Sequence, residues 1–154
     1  MSRELVRPNF VPMIALATKA GRALRSDMIR TARSRGYEEM QPAHDAVFST
    51  LPPEGARAAD MAARAGITRQ SMGEVIRDMV GLGFLEMAPD PKDGRAKLVT
   101  YSEYGKECAS SGFDHIIEID QQLREKFGDE DVEATCRVLA GIIDLLGTTP
   151  DEIG

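Results

Sequence analysis

The chain of 154 residues is short of several things that whole classes of function require. It has no run of about 18 apolar residues, so no membrane-spanning helix is expected. Its opening residues, Met1 to Phe10, lack the apolar stretch of a secretory leader, and a cytoplasmic location is the default expectation. Two cysteines, Cys108 and Cys136, are too far apart for a close-spaced metal pattern and give no disulfide framework. There is no phosphate-binding glycine motif, no His/Cys/Glu metal cluster and no nucleophile with its base. Acidic pairs such as Glu38-Glu39 and Glu130-Asp131 read as solvated surface and helix starts, so neither an enzyme nor a metal or organic cofactor is expected. A positive overall balance is missing too: the net charge is -6, which opposes a nucleic-acid partner, since affinity for a duplex rests largely on neutralising phosphates.

The distribution of that charge answers the objection. Residues 1–40 carry eight Lys+Arg against four Asp+Glu, residues 41–56 none against two, residues 57–106 eight against seven, and residues 107–154 three against twelve. The acidity is concentrated in the C-terminal third, and a nucleic-acid face need only be locally basic.

Residues 57–106 are the most informative stretch. From about Ala58 to Ala65 the chain is alanine-rich and closed by Gly66, which accepts the left-handed conformation a helix end often needs. Thr68 then offers a capping oxygen to a second helix, in which Met72, Val75, Ile76, Met79 and Val80 recur at helical spacing and form one buried face. The other face carries Arg69, Gln70, Ser71, Glu74 and Arg77, crowded toward the N-terminal turns. Two readings stay open on this stretch alone. It is the solvated polar face that any helix hairpin has, or it is a helix-turn-helix whose second helix fits the DNA major groove. In the second reading arginine pairs with guanine, Gln70 with adenine, Glu74 accepts from cytosine, and Thr68 and Ser71 meet phosphate or base.

Gly83 ends the second helix. Phe84 to Met87 and Lys97 to Tyr101 read as strands, with Pro89 to Arg95 as a polar turn between them, so a hairpin follows the helix pair. The stretch GFLEMAPDPKDGRAKLVTYSEYG resembles the wing signature of the MarR family of bacterial transcriptional regulators, an Asp-x-Arg-Asp-x-Arg turn followed by a Leu-Thr-x-x-Gly helix start. The layout of nearly the whole chain is similar to that family's. Here the turn is Asp90, Lys92, Asp93 and Arg95, and the helix start is Tyr101, Ser102 and Gly105. Lys92 stands where arginine is usual and brings a point charge without the rigid guanidinium fork, and Gly94 stands where a further arginine is frequent. The resemblance implies that Arg95 enters the minor groove or braces the wing; a salt bridge to Asp90 or Asp93 is its alternative. Lys92, Arg95 and Lys97 complete the candidate DNA-binding set.

Outside this stretch, Arg3, Arg7 and Pro8 open an irregular arm. Phe10 to Arg33 reads as a long helix with Ile14, Leu24 and Met28 on one face. Its last turns are basic through Arg22, Arg25, Arg30, Arg33 and Arg35, which suit the negative helix end. Gly36 stops it. A helix from about Gln41 to Leu51 opens at Pro42 and buries Val47, Phe48 and Leu51. The resemblance implies a short strand near Ala56 and Arg57. Ser102 caps the next helix, along which run Tyr104, Cys108, Ile116, Ile119, Leu123 and Phe127, with Gly105 and Gly112 softening it. Asp129 caps a final helix where Val132, Cys136, Leu139, Ile143 and Leu146 recur at steps of four and three. That stripe covers either the chain's own core or a second copy. The resemblance implies the copy: Ile14 and the C-terminal stripe interlock in a homodimer that sets two reading helices about 34 Å apart on a pseudo-palindrome.

The resemblance also implies a small phenolic or lipophilic effector between the dimer helices and the DNA-binding lobe. Phe10, Met13, Tyr37, Met40, His44 and Phe48 are the candidate lining, although His44, like His115, reads equally as a surface or internally satisfied histidine. Redox sensing through Cys108 or Cys136 is another reading, set against both thiols being buried small side chains. The expected fold is mainly α with a small antiparallel β wing: a winged helix-turn-helix core at 37–101, flanked by dimerisation helices at 1–36 and 102–154. The expected function is a sequence-specific regulator of double-stranded DNA, a homodimeric repressor released by its ligand. A winged-helix protein-interaction module is the alternative, supported by the thin positive balance of residues 57–106.

Overall fold

Proline and glycine set most of the helix boundaries. The computed structural model describes residues 5–147, so Arg3 lies outside the described residues. The first helix, α1, spans Met13–Ser34 and does not begin at Phe10. Pro12 occupies the extended N-cap position, and a residue preceding proline is pushed out of the helical region, which excludes Phe10 and Val11.

The helix expected over 41–51 is broken into a 3-10 turn, Pro42–His44, and one turn of α-helix, α2, Asp45–Phe48. The Ser49 and Thr50 hydroxyls donate back to the Asp45 and Ala46 carbonyls, the last helix-type backbone bond runs from the Leu51 N–H to the Val47 carbonyl at 2.8 Å, and Pro52, which has no N–H to donate, ends the turn. Val47 and Leu51 are buried, while Phe48 is half-buried.

The central elements follow local signals closely. Helix α3, Ala58–Ala65, closes on Gly66 at φ 65°, and α4, Arg69–Gly81, starts where Thr68 Oγ1 accepts the Ser71 N–H at 3.1 Å. Met72, Ile76 and Met79 are buried, but Val80 is exposed, because one residue beyond Met79 is about 100° around the helix. Strands β1, Leu85–Asp90, and β2, Asp93–Tyr101, pair antiparallel with Leu85 opposite Tyr101. Both are longer than expected. A register shift between Pro89 and Asp90 sets Asp90 opposite Asp93, so the turn narrows to Pro91 and Lys92. Near the expected third strand, Ala56 and Val99 exchange both backbone hydrogen bonds, at 3.0 and 2.8 Å.

Helix α5, Glu103–Phe127, is capped by Ser102, whose Oγ accepts the Gly105 N–H at 3.0 Å. Helix α6 spans Asp129–Leu146; Gly128 holds the N-cap position, so Asp129 is the first helical residue and not the cap. The core lies under Phe84, among Met61, Met72, Ile76, Met79, Val47 and Val99. Ile29 is the one buried residue of α1 and Val132 that of α6, so long apolar stretches of both helices lie outside this core.

Gly105 does not soften α5. A Cβ there would overlap the Phe84 carbonyl oxygen, which also accepts the Ser102 N–H at 3.0 Å, so only glycine lets the helix start reach the root of the wing. At Gly112 a Cβ would meet only Met28 Cε, at 3.7 Å, an ordinary contact. In urea denaturation Gly105→Ala is expected to lower stability by about 2–3 kcal/mol through overpacking against backbone. Gly112→Ala is expected to raise it by about 0.5–1 kcal/mol through helix propensity. Equal effects at the two positions would contradict the close approach.

Candidate nucleic-acid interface

Capping by Thr68 directs the first turns of α4 outward, and Thr68, Arg69, Gln70, Ser71, Glu74 and Arg77 are all exposed. Two pairs among them are already joined: the Thr68 hydroxyl donates to Ser71 Oγ at 2.9 Å, and Gln70 Nε2 donates to Glu74 Oε1 at 3.3 Å. The cations differ. Arg69, Arg77, Lys92, Arg95 and Lys97 are exposed and form no ion pair with another described residue. Away from this surface, Arg25, Arg30, Arg35, Lys106 and Arg124 are paired with carboxylates.

The wing is braced by a residue that sequence reasoning placed only in a possible strand. Arg57 donates from Nε and Nη2 to Asp90 Oδ2, both at 2.8 Å, while the Lys92 N–H donates to Asp90 Oδ1 at 2.9 Å. Asp90 is 8% exposed, and the Lys92 amide and the Arg57 guanidinium hold its carboxyl below the usual carboxylate range. Asp93 caps the backbone N–H of Arg95 at 3.1 Å. With Asp90 claimed by Arg57, the Arg95 guanidinium has no salt bridge to either aspartate and extends from the hairpin unpaired. A buried acid in a polar turn called for a cation, but nothing in the spacing named Arg57 as its source.

Behind α4 a second polar link runs inward. His44, only 1% exposed, accepts the Gln41 N–H at Nδ1, 3.1 Å away. The remaining ring proton is therefore on Nε2, which donates to Asp78 Oδ2 of α4 at 2.6 Å. His44 is an internally satisfied histidine that ties the 3-10 turn to α4.

Between α1, the segment that follows it, α2 and α5 lies a cavity of about 160 Å³. Tyr37, Met40 and Phe48 are in its wall. Phe10 and Met13 are not; both are exposed where the chain enters α1, and His44 is turned to Asp78. Sequence reasoning missed Arg35, Ser111 and His115. Arg35 is not simply a helix-end charge: it crosses to α5, where Nη1 donates to the Ser111 carbonyl at 2.8 Å and Nη2 pairs with Glu118 at 3.0 Å. His115 sits between carboxylates, with Nε2 at 2.7 Å from Asp27 and Nδ1 at 3.0 Å from Glu118. Glu118 and then Asp27 raise its imidazole above the ordinary value, against the opposing effect of burial.

The cysteines divide. Cys108 is buried and lines the cavity, and burial pushes its thiol up to about 12, which leaves it without the thiolate a redox sensor needs. Cys136 is exposed in the single chain, contrary to expectation, because the stripe it shares with Leu139, Ile143 and Leu146 covers no core. Those three side chains are 45, 62 and 75% exposed, and Ile14 is 76% exposed. Among the described residues, no helix is long and apolar enough to cross a membrane.

No protein-family model matches the chain. Over 65 residues it is 40% identical to an uncharacterised HTH-type transcriptional regulator of Mycobacterium bovis and to an HTH-type transcriptional regulator of Mycobacterium tuberculosis. The match covers 42% of this chain, which spans about half (46%) of the length of these curated relatives. Similar solved structures include a MarR protein from Peptoclostridium difficile, with TM-score 0.74 and 12% identity over 95% of this chain and 94% of that one. The reduced form of MarR from E. coli has TM-score 0.69 and 13% identity over 88% and 99% of the two chains. The transcriptional repressor CouR, bound to a 23-mer DNA duplex, has TM-score 0.70 and 19% identity over 85% and 92%. These likenesses establish the fold, which is the winged helix of MarR-type transcriptional regulators.

The depressed Asp90 carboxyl sets a pH dependence. Its contribution is complete above the unfolded carboxylate pKa and is lost as pH falls through the lower folded value. Asp90→Asn is expected to flatten the acid limb of a stability-against-pH curve, and an unchanged limb would remove the brace. Thiol titration of the native protein should spare Cys108 until unfolding. Rapid native modification of Cys108 would contradict its burial.

Proposed function

We propose that the chain is a DNA-binding transcriptional regulator that acts as a homodimer. The observation that carries this reading is the gathering of five exposed cations, none in an ion pair with another described residue, on α4 and the wing of this fold. Arg69 and Arg77, with Gln70 and Glu74, supply base-reading groups on a helix whose diameter fits the major groove; Lys92, Arg95 and Lys97 supply wing contacts to phosphate and minor groove. The solved likeness of a repressor bound to duplex DNA supports the same docking.

Five cations per chain on a net acidic protein bind weakly as a single copy, and two copies double the count while adding half-site symmetry. The exposed Ile14 on α1 and Leu139, Ile143 and Leu146 on α6 are the surface for that pairing, since an apolar stripe at seam spacing with no core beneath it is stabilised by a second helix layer. The flanking segments 1–36 and 102–154 thus dimerise, and 37–101 reads DNA. The cavity beside α5 holds a small effector whose binding releases the repressor, and the protein works in the cytoplasm without a cofactor.

Selection of bound sequences from a random DNA pool is expected to return one pseudo-palindrome with half-sites a helical turn apart. Arg69→Ala should weaken that site about 10–100-fold and relax one base position. Lys92→Ala should weaken all sequences alike and reduce the salt slope by about two units, one for each copy in the dimer. Ile143→Glu should yield monomers in sedimentation and lose the site. No enriched sequence at low or moderate salt would overturn the reading in favour of a protein-binding winged helix.

A further inference from the structure

The cavity between α1 and α5 carries more chemical information than its location. Its volume of about 160 Å³ is close to the roughly 150 Å³ at which a dry apolar cavity takes up a single benzene ring, and smaller than most drug-sized pockets. Apolar side chains including Met28, Ile29, Met40, Phe48, Phe113 and Ile116 make up much of its wall.

The polar residues of the wall are Thr31, Arg35, Asp45, Ser49, Ser111 and His115, and each is already engaged. Thr31 and His115 share a hydrogen bond at 3.0 Å, and His115 also faces Asp27 and Glu118. Asp45 pairs with Arg25 at 3.2 Å, and the Ser49 hydroxyl donates to the Asp45 carbonyl at 2.7 Å. Arg35 gives Nη1 to Ser111 and reaches both Glu118 oxygens with Nη2, at 3.2 and 3.0 Å. A guanidinium beside an aromatic-lined cavity would ordinarily select a carboxylate. Here Glu118 occupies that role, and Asp27 and Asp45 add negative charge near the same wall. The remaining polar group is the Tyr37 hydroxyl, which makes no hydrogen bond to another described residue; burial and the neighbouring Cys108, Glu107 and Tyr104 raise its pKa, which keeps it protonated.

We infer that Glu118 sets the charge selectivity of this cavity: by holding Arg35 it excludes aromatic carboxylates, which leaves the Tyr37 hydroxyl as the one polar group to meet a substituent on an uncharged ring. This rests on the reading of the cavity as the effector site. An aromatic carboxylate entering here would have to take Arg35 from Glu118 and leave that acid beside His115 and Asp27, whereas a neutral ring displaces no internal bond.

The test uses the full-length protein at pH 7.5 and a matched pair of probes, para-cresol and para-hydroxybenzoate, with toluene as the ring lacking a polar substituent. At about ten times its Kd, para-cresol is expected to raise Tm by about 3–5 °C, while para-hydroxybenzoate at the same concentration does not shift it. Tyr37→Phe, which keeps the ring against Phe84 and Tyr104, should reduce the para-cresol shift to that of toluene. Glu118→Gln frees Arg35 and should create a response to para-hydroxybenzoate of similar size. A wild-type protein stabilised by the carboxylate, or a Glu118→Gln variant that gains no carboxylate response, would overturn the selectivity while leaving an effector site in place. Silence toward all three probes in both proteins would overturn the effector reading itself. A para-cresol shift unaffected by Tyr37→Phe would remove Tyr37 from the site.

Discussion

Phe84 is the point where four parts of the chain meet. Its ring, 1% exposed, stacks on Tyr104 of α5 at 4.9 Å and is approached by Tyr37 after α1, His44 of the 3-10 turn and Phe48 of α2. Burying one such ring contributes about 2–3 kcal/mol from area alone, a large fraction of the margin on which a domain of this size survives. The ring's position at the end of α4 and the start of β1 gives it a second effect. The angle between α4 and the wing, and the place where α5 departs from them, are all referred to one side chain.

How much of this was legible before the structure depended on the range of the interactions. Helices α3 and α4 were readable because their signals are local: Gly66 at a helix end, Thr68 at a cap, apolar residues three and four apart. The hairpin was readable in kind but not in width, because the register shift at Pro89/Asp90 depends on pairing with the opposite strand. Arg57–Asp90 spans 33 residues and His115–Asp27 spans 88, and neither leaves a periodic trace. Arg35 was visible as a charge, but the α5 partners that occupy it were not. The apolar stripe of α6 was legible as a pattern and ambiguous in purpose; exposure of Leu139, Ile143 and Leu146 decides that it does not cover the chain's own core.

The surface separates two uses of charge. Around the cavity every guanidinium and carboxylate on the wall is committed to a neighbour. On α4 and the wing the cations are left open, and the acid that would quench them, Asp90, is drawn inward by Arg57. Between the two regions runs His44: the carbonyl of Met40, a cavity residue, accepts from Arg33, and four residues later the His44 ring donates to Asp78, next to Arg77.

The glycine at position 105 gives this arrangement a mechanical property. Cys108 and Ala109, one turn further along α5, face the cavity, while Gly105 rests on the Phe84 carbonyl with no side chain between. Side chains are compliant because they change rotamer; backbone pressed on backbone does not. The first turn of α5 is therefore a bearing without play. A displacement of the helix at the cavity must either bend α5 within a single turn or carry the root of the wing with it.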